Sequence, residues 1–478
     1  MSGETRLGQR PAEVEESDDL YLLSVGSNAS VKVRGGRMDV KELRRVNEDG
    51  LEQWEPVLKD GFPISTESLR SVLRGLSAEA ELEREEYTLE QLLEELVDPS
   101  PGVLSIEVHK RRSHVTFEGV MAELSDFSTI HDARRTIAVE SADPSLVTAA
   151  VRDLGLETRP NVNVPRGLKT LLGFGRFAVI DIGTNSVKFV IGERGKDREW
   201  RSVVDRAEVT RLGEGLDRTG ELNEEPTRRT VEAISDMAEE AEQQAVAAIA
   251  AVATAGVRMA RNGQAFADAL RQRTGIAVEI ISGDEEGRLA YVAATEGLQL
   301  GDGSLVVFDT GGGSSQFTFG RRREVEERFS VDVGAVRFTE RFALDGVVSD
   351  KKLAEARGAI SADLERLDGR PKPDELVGIG GAVTNLAAVK HELATYDADV
   401  VRGTVLDRAE VDRQIELYRT RSADERREIV GLQPKRAEVI LAGACIVRTV
   451  LEKLGSGSLS VSDRGLRHGL LEERFGRR

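Results

Sequence analysis

The sequence predicts a duplicated α/β fold of two lobes, preceded by an α+β domain with an antiparallel sheet. Three observations carry that expectation. First, Val179 to Gly192 (VIDIGTNSVKFVIG) is matched by Val307 to Gly320 (VFDTGGGSSQFTFG), with Asp, Gly, Ser, Phe and Gly recurring at one offset, 309 − 181 = 128. Unrelated turns have no reason to match in this way, and self-similarity at a fixed offset marks a repeated unit. Second, the chain around both copies alternates strand, hairpin and helix signals, as α/β domains do. Third, the character changes at residues 161–176, where Pro165 and three glycines interrupt any amphipathic period and mark a linker. The resulting division is a mobile acidic tail (1–19), an α+β domain (20–160), the linker (161–176), a first lobe (177–300) and a second (301–478).

Taken in order, the tail clusters Glu15, Glu16, Asp18 and Asp19, which repel one another and favour solvent. In the next domain, alternating runs at Ser30–Lys41, Val103–Leu124 and Thr136–Ser141 predict strands, while Ser65–Glu83 and Asp143–Leu156 predict helices. Alternation sets Lys110, Arg112, His114 and Glu118 on one face of a strand pair, and Lys32 and Arg34 together on another. Facing inward, such rows line a tunnel of mixed charge; facing outward, they are the solvated side of a sheet. In the lobes, Ala245–Val257 predicts a helix running into a strand. Ile280–Tyr291 ends a strand at Ser282-Gly283 and opens a helix with Asp284, Glu285 and Glu286, where the helix dipole favours acids. Val377–Leu386 predicts strand, glycine turn and helix start, with Thr384 and Asn385 near a terminus suited to phosphate or ribose.

The 478 residues carry 66 basic and 84 acidic side chains, a formal charge of −18. That balance disfavours a broad cationic face for nucleic acid. A polyanionic substrate would need local Lys and Arg, backbone N–H groups or a bridging cation. No apolar run approaches the ~20 residues of a membrane helix, and the N-terminus has no apolar signal core, so no membrane and a cytoplasmic location are expected. The single Cys445 excludes an internal disulfide framework, and the five histidines show no zinc spacing.

Each repeat carries a turn rich in glycine and hydroxyls, which lets backbone N–H groups approach an anion, and an Asp that leaves the strand end free to hold a cation or water. Either hairpin alone is equally well an ordinary glycine turn; the fixed offset sets them apart. Two such hairpins across a cleft would grip phosphate from both sides. A carboxylate at the 282–286 junction is then well placed to orient or deprotonate water for in-line attack on phosphorus. Arg258, Arg337 and Arg467 could complement phosphate charge, and Arg258 is the preferred one of the three.

The segments AVIDIGTNS, RLGEGLDRTG, ATAGVR, ISGDEEGRLAY, VVFDTGGGSS, VGAVRFTERF, GIGGAVTNLA, KRAEVILAGA and SDRGLRHGLL, in this order, resemble the exopolyphosphatase/guanosine pentaphosphate phosphohydrolase family. The resemblance implies a duplicated RNase-H-like, actin-like ATPase fold of two lobes, a Mg²⁺-dependent phosphohydrolase and a homodimer. By position, Glu286 matches the catalytic glutamate, and Asp181 and Asp309 match the metal-holding aspartates. Gly183, Thr184, Asn185, Ser186, Gly311, Gly312, Gly313 and Ser314 match the phosphate loops, and Arg258 an arginine facing the phosphates. One departure stands out: Gln316 replaces the usual glutamate after the second loop, and offers a cation only a neutral amide oxygen; Glu285 is a candidate to compensate. The segments around Lys32 and Lys110 resemble triphosphate-tunnel (CYTH) domains, without the Glu-x-Glu-x-Lys signature. The function expected is exopolyphosphatase. Guanosine pentaphosphate hydrolysis, a non-hydrolytic polyphosphate- or nucleotide-binding regulator, and an ATP-using enzyme on the same fold remain alternatives.

Overall fold

The computed structural model describes residues 3–8, 12–129, 133–157, 159–296, 298, 300–321 and 324–476. The N-terminal domain is built on strands β1 (Glu13–Ser24), β2 (Ser27–Arg34), β3 (Arg37–Val46), β4 (Glu52–Gly61), β7 (Val103–Phe117), β8 (Val120–Ser128) and β9 (Ala133–Glu140), with β5 (Ile64–Ser65) and β6 (Glu86–Tyr87) forming a small separate pair. The large sheet is antiparallel in the order β4-β3-β2-β1-β7-β8-β9. Among the described residues it does not close, so it is an open sheet rather than the tunnel anticipated as one alternative. The expected tail is corrected too. Residues 13–19 are the first half of the central strand β1, because Glu15, Glu16 and Asp18 fall opposite Arg112, Arg111 and His109 of β7, and the charges that repel along one strand are matched across the pair.

One face of this sheet is apolar: Val31, Val33, Met38 and Val40 pack against Leu69 and Val72 of helix α1 (Thr66–Gly75). The expected helix to Glu83 stops early, since Ser77 adopts a φ of +47° and the chain then extends. Val115, Phe117 and Ala122 receive Ala150 of helix α2 (Pro144–Asp153). On the other face, Arg34 grips the buried Asp19 through two bonds of 2.7 and 2.5 Å, and Lys110 approaches it to 3.1 Å. Burial alone would raise the Asp19 carboxyl, but Arg34 and Lys110 hold it far below the usual carboxylate range. Lys110 is itself pushed down to about 8, chiefly by burial. Lys32 and Arg34 share this face as expected; Glu118 does not, because it sits in the β7–β8 turn with a φ of +47°.

The expected linker contains a capped helix, α3 (Val164–Leu172): Asn163 accepts from Arg166 N–H, Pro165 occupies the first turn and Gly173 ends it in the left-handed region. Its Leu168 packs with Tyr21, Leu23 and Val108, and its Lys169 is fully buried, donating to Ser27 O (2.5 Å) and Asn28 Oδ1 (2.9 Å) of the β1–β2 turn. Asn28 also donates to Val246 O at 3.3 Å, and Lys196 to Val97 O at 2.8 Å. These contacts seat the N-terminal domain on the first lobe.

The first lobe contains β10 (Gly175–Ile182), β11 (Ser186–Arg194), β12 (Trp200–Val209), β13 (Ala248–Ala253) and β14 (Val278–Ile280), in the order β12-β11-β10-β13-β14. The second contains β15 (Ser304–Thr310), β16 (Ser315–Arg321), β17 (Glu324–Val331), β18 (Glu375–Ile379), β19 (Val405–Asp407) and β20 (Ser458–Val461), in the order β17-β16-β15-β18-β20-β19. In both, three antiparallel strands continue into parallel ones, so the sequence repeat is a repeat of topology. Helix α4 (Glu224–Gln243) packs in the first lobe's core. The stretch 245–257, expected as helix into strand, instead follows α4, forms β13 and begins the short helix α5 (Ala255–Met259), because Ala245 takes a φ of +54° and breaks the helix.

The lobes trade elements across their expected boundary at 300. Helix α6 (Gly283–Glu296) places Ala290, Tyr291 and Ala294 on Leu305, Val307, Val377 and Ile379 of the second sheet. In return, helix α7 (Ala335–Phe342) and helices α8 (Gly381–Lys390) and α9 (Ile440–Lys453) stay with the second lobe, while helix α10 (Leu466–Leu471) and Phe475 return to Phe177, Val179 and Val190 of the first.

Candidate active site

Both Asp-led turns close in one way. Gly183 N–H donates to Ser186 O (3.1 Å) in the first copy, and Gly311 N–H to Ser314 O (2.9 Å) in the second. The loops meet across the lobes: a Cβ on Gly312 would lie 3.0 Å from that of Asn185, and one on Gly313 2.9 Å from Thr184 Oγ1, so both positions need glycine for this approach. In the second copy, the carbonyls of Gly311 and Gly312 accept from Ala335, Val336 and Arg337 N–H at the start of α7, at 2.9, 2.9 and 3.2 Å. The helix terminus thereby satisfies its free donors and fixes the loop.

Between the loops lies a cavity of about 40 Å³. Of the residues expected to form the site, Asp181, Gly183, Thr184, Asn185, Ser186, Glu286, Asp309, Gly311, Gly312, Gly313 and Ser314 all line it. Arg258 stands one layer back and reaches it through Glu286, donating to Glu286 Oε2 at 3.3 Å and to Ile281 O at 2.8 Å. Glu286 is pushed up to about 8, by burial first, with Asp181 and Asp309 adding and Arg258 opposing. Asp309 is raised as well, by burial and by Asp181, against Lys188.

Other expectations move. Arg337 turns to Asp217 (3.1 Å) and Asp332 (3.5 Å), and Arg467 to Asp205, so neither lines the cavity. Glu285 is paired with Arg288 and does not stand in for a carboxylate at 316. Thr384 and Asn385 bond back to Gly380 O and Gly381 O, leaving Gly381 as the part of that turn lining the cavity. His468 is half-buried against Asp205 and pushed down to about 4, by desolvation first and by Arg467, a packing residue.

Two cations were missed. Lys188 lies directly opposite Asp181 in the β10–β11 register and bonds it at 3.0 Å. Burial would lower the ammonium, but Asp181 and Asp309 outweigh it and raise it. The repeat held a signal for it, since 188 + 128 = 316, the position of Gln316, which faces Asp309 in the same way. Arg436 covers Gly381, where a Cβ would collide with its guanidinium; it donates to Ser186 Oγ at 3.4 Å, while its buried Nε has no partner. An unpartnered buried donor at a cavity lined by backbone N–H groups suits an anion.

Among the described residues, no three His, Cys, Asp or Glu side chains cluster as a ready metal site. Asp181 and Asp309 nevertheless line one cavity with Glu286, and each of the two aspartates adds to the upward displacement of Glu286 that burial begins, so the three carboxyls are close enough to share a divalent cation's charge. Two carboxylates completed by substrate oxygens and water suit Mg²⁺, which seldom uses an all-protein cage.

Known proteins share this arrangement. A model of the Ppx/GppA phosphatase family matches residues 200–477. Exopolyphosphatase 2 of Mycobacterium tuberculosis is 31% identical over 311 residues, 62% of this chain and 97% of that protein. The guanosine-5'-triphosphate,3'-diphosphate pyrophosphatase of Vibrio vulnificus is 30% identical over 304 residues, 62% of this chain and 59% of that protein. A bifunctional 3-dehydroquinate synthase/phosphatase of Fusobacterium nucleatum is 28% identical over 297 residues, and this chain spans 44% of its length. The crystal structure of the Aquifex aeolicus Ppx/GppA family member superposes with a TM-score of 0.54 at 32% identity, over 62% of this chain and 97% of that one. With more than half of its residues under the family model, Glu286 and the second loop among them, this chain belongs to the Ppx/GppA phosphatase family.

Proposed function

We propose that this protein is a divalent-cation-assisted phosphohydrolase that releases the terminal phosphate of inorganic polyphosphate. The observation that carries the reading is the convergence of Glu286, Asp181, Asp309 and two phosphate loops on one cavity. Glu286 orients water and takes its proton as the water oxygen bonds the terminal phosphorus and the bridging P–O bond breaks toward the shortened chain. Loop N–H groups, Lys188 and Arg436 stabilise the charge on the non-bridging oxygens. Asp181 and Asp309 are the residues to hold Mg²⁺, which when bound supplies further charge neutralisation there.

Guanosine pentaphosphate is the second reading, favoured by the activity named for the Vibrio vulnificus relative. Polyphosphate comes first because the side chains of the third glycine turn bond to their own backbone, leaving glycine and the Arg436 guanidinium on that side of the cavity. The test is phosphate release from each substrate, with and without Mg²⁺, by wild type and Glu286→Ala. Loss of a general base costs about 10²- to 10⁴-fold, so Mg²⁺-dependent release that collapses in the variant is the expected result. Binding without release would leave a regulator instead.

A further inference from the structure

Gln316 is the residue facing the cleft's second aspartate whose chemistry the hydrolytic scheme leaves unused. It is buried, and its amide Nε2 donates to Ser314 Oγ at 2.7 Å and to Ser330 Oγ at 3.4 Å. Ser314 lines the cavity, and its backbone carbonyl is tied to Gly311 N–H, so the turn fixes its main chain while Gln316 fixes its hydroxyl. Ser330 in turn lies under Gly283, where an added Cβ would collide with it, at the start of the helix that carries Glu286.

A serine hydroxyl has one proton to give and two lone pairs to receive. With an amide N–H occupying a lone pair, the proton of Ser314 remains free for an anion in the cavity. A carboxylate at position 316 would do the reverse, since it only accepts: it would claim the proton and turn a lone pair toward phosphate oxygens. We propose that Gln316 is a positioning residue that keeps the Ser314 hydroxyl a hydrogen-bond donor to the terminal phosphate. This inference rests on the phosphohydrolase reading.

The test is a double-mutant cycle among wild type, Ser314→Ala, Gln316→Glu and the double variant. It is read as the Kd for orthophosphate in cation-free protein and, in parallel, the KM for polyphosphate, with thermal melts as the folding control. A hydrogen bond to a charged group makes about a tenfold difference, so Ser314→Ala should weaken phosphate binding by about that factor. Gln316→Glu adds a repelling charge in both backgrounds, and its cost should be about threefold or more larger when Ser314 is present, because only there does it also capture the hydroxyl. Should the carboxylate variant not fold, Gln316→Met serves: Ser314→Ala should cost less in the Gln316→Met background than in the wild-type one. Equal costs in both backgrounds would overturn the inference while leaving the enzyme intact. Wild-type protein that neither binds orthophosphate nor releases it from polyphosphate would overturn the underlying reading.

Discussion

Glu286 carries the clearest functional consequence of a local environment. A base acts deprotonated, and burial beside Asp181 and Asp309 pushes this carboxyl up to about 8. Phosphate release at limiting cation should therefore rise with pH through about 8. Arg258 opposes that displacement, so Arg258→Gln should move the rising limb upward by about one pH unit, lowering the rate at pH 7 about tenfold; a pH–rate profile unchanged by the substitution would detach Arg258 from the base. At this scale the sequence was legible where the repeat spoke. The loop residues, both aspartates and Glu286 converge as their motifs suggest, because a strand end and a two-sided turn fix them locally. Lys188 was legible only through its repeat mate. Arg436 was not legible from its own neighbourhood: it reaches Gly381 from more than fifty residues away, and nothing in a Pro-Lys-Arg triplet announces that approach.

Helices and strands show a different balance. Period-two alternation located the strands of the N-terminal sheet, yet the acidic stretch before Leu20 was misread because its compensating charges lie on β7, about ninety residues along the chain. Helix α3 was hidden by its own caps, since Asn163, Pro165 and Gly173 signal both a loop and the two ends of a short helix. Its Lys169 is pushed down to about 7 by burial, with Arg166 and Arg176 adding. Because the folded value lies below the unfolded one, the unfolded chain binds the extra proton between about pH 7 and 10, and stability from this group grows as pH rises across that window. Lys169→Met should abolish that growth, so the gap in Tm between variant and wild type should shift in favour of wild type from pH 7 to pH 9.5. Helix α7 is equally constrained at its start. A Cβ on Gly334 would strike the carbonyl of Gly312, and Gly334→Ala should cost about 1–3 kcal/mol of stability and displace the second phosphate loop, measured by denaturant unfolding beside phosphate release.

In the whole molecule, residues of both lobes line the cavity between the loops, so the ties that hold the lobes together also set its shape. Those ties include Arg337 to Asp217 at 3.1 Å, Arg211 to Glu438 at 2.9 Å, Gly215 N–H to Glu340 at 3.4 Å and Arg436 to Ser186 Oγ at 3.4 Å, beside the packing of α6 on the second sheet. Arg337→Asp should raise hydrogen exchange at 183–186 and 311–315, and the paired charge reversal with Asp217→Arg should restore protection; no change in either would mean that this ion pair does not steady the loops. The N-terminal domain docks at the Gly175 end of β10, six residues from Asp181, or about 20 Å at a strand's rise. Topology explains why the lobe boundary could not be read from the sequence: the repeat marks where each sheet begins, whereas α6 and α10 cross to the other layer through tertiary packing alone. That exchange bears on synthesis. The first lobe starts at Gly175, yet its core includes Leu466, Leu470, Leu471 and Phe475, so a ribosome that has translated both phosphate loops still holds an unfinished first lobe. The first lobe must wait for those residues before this part of its core can close, whereas the core of the second is complete by Val461, so the first half of the repeat finishes after the second.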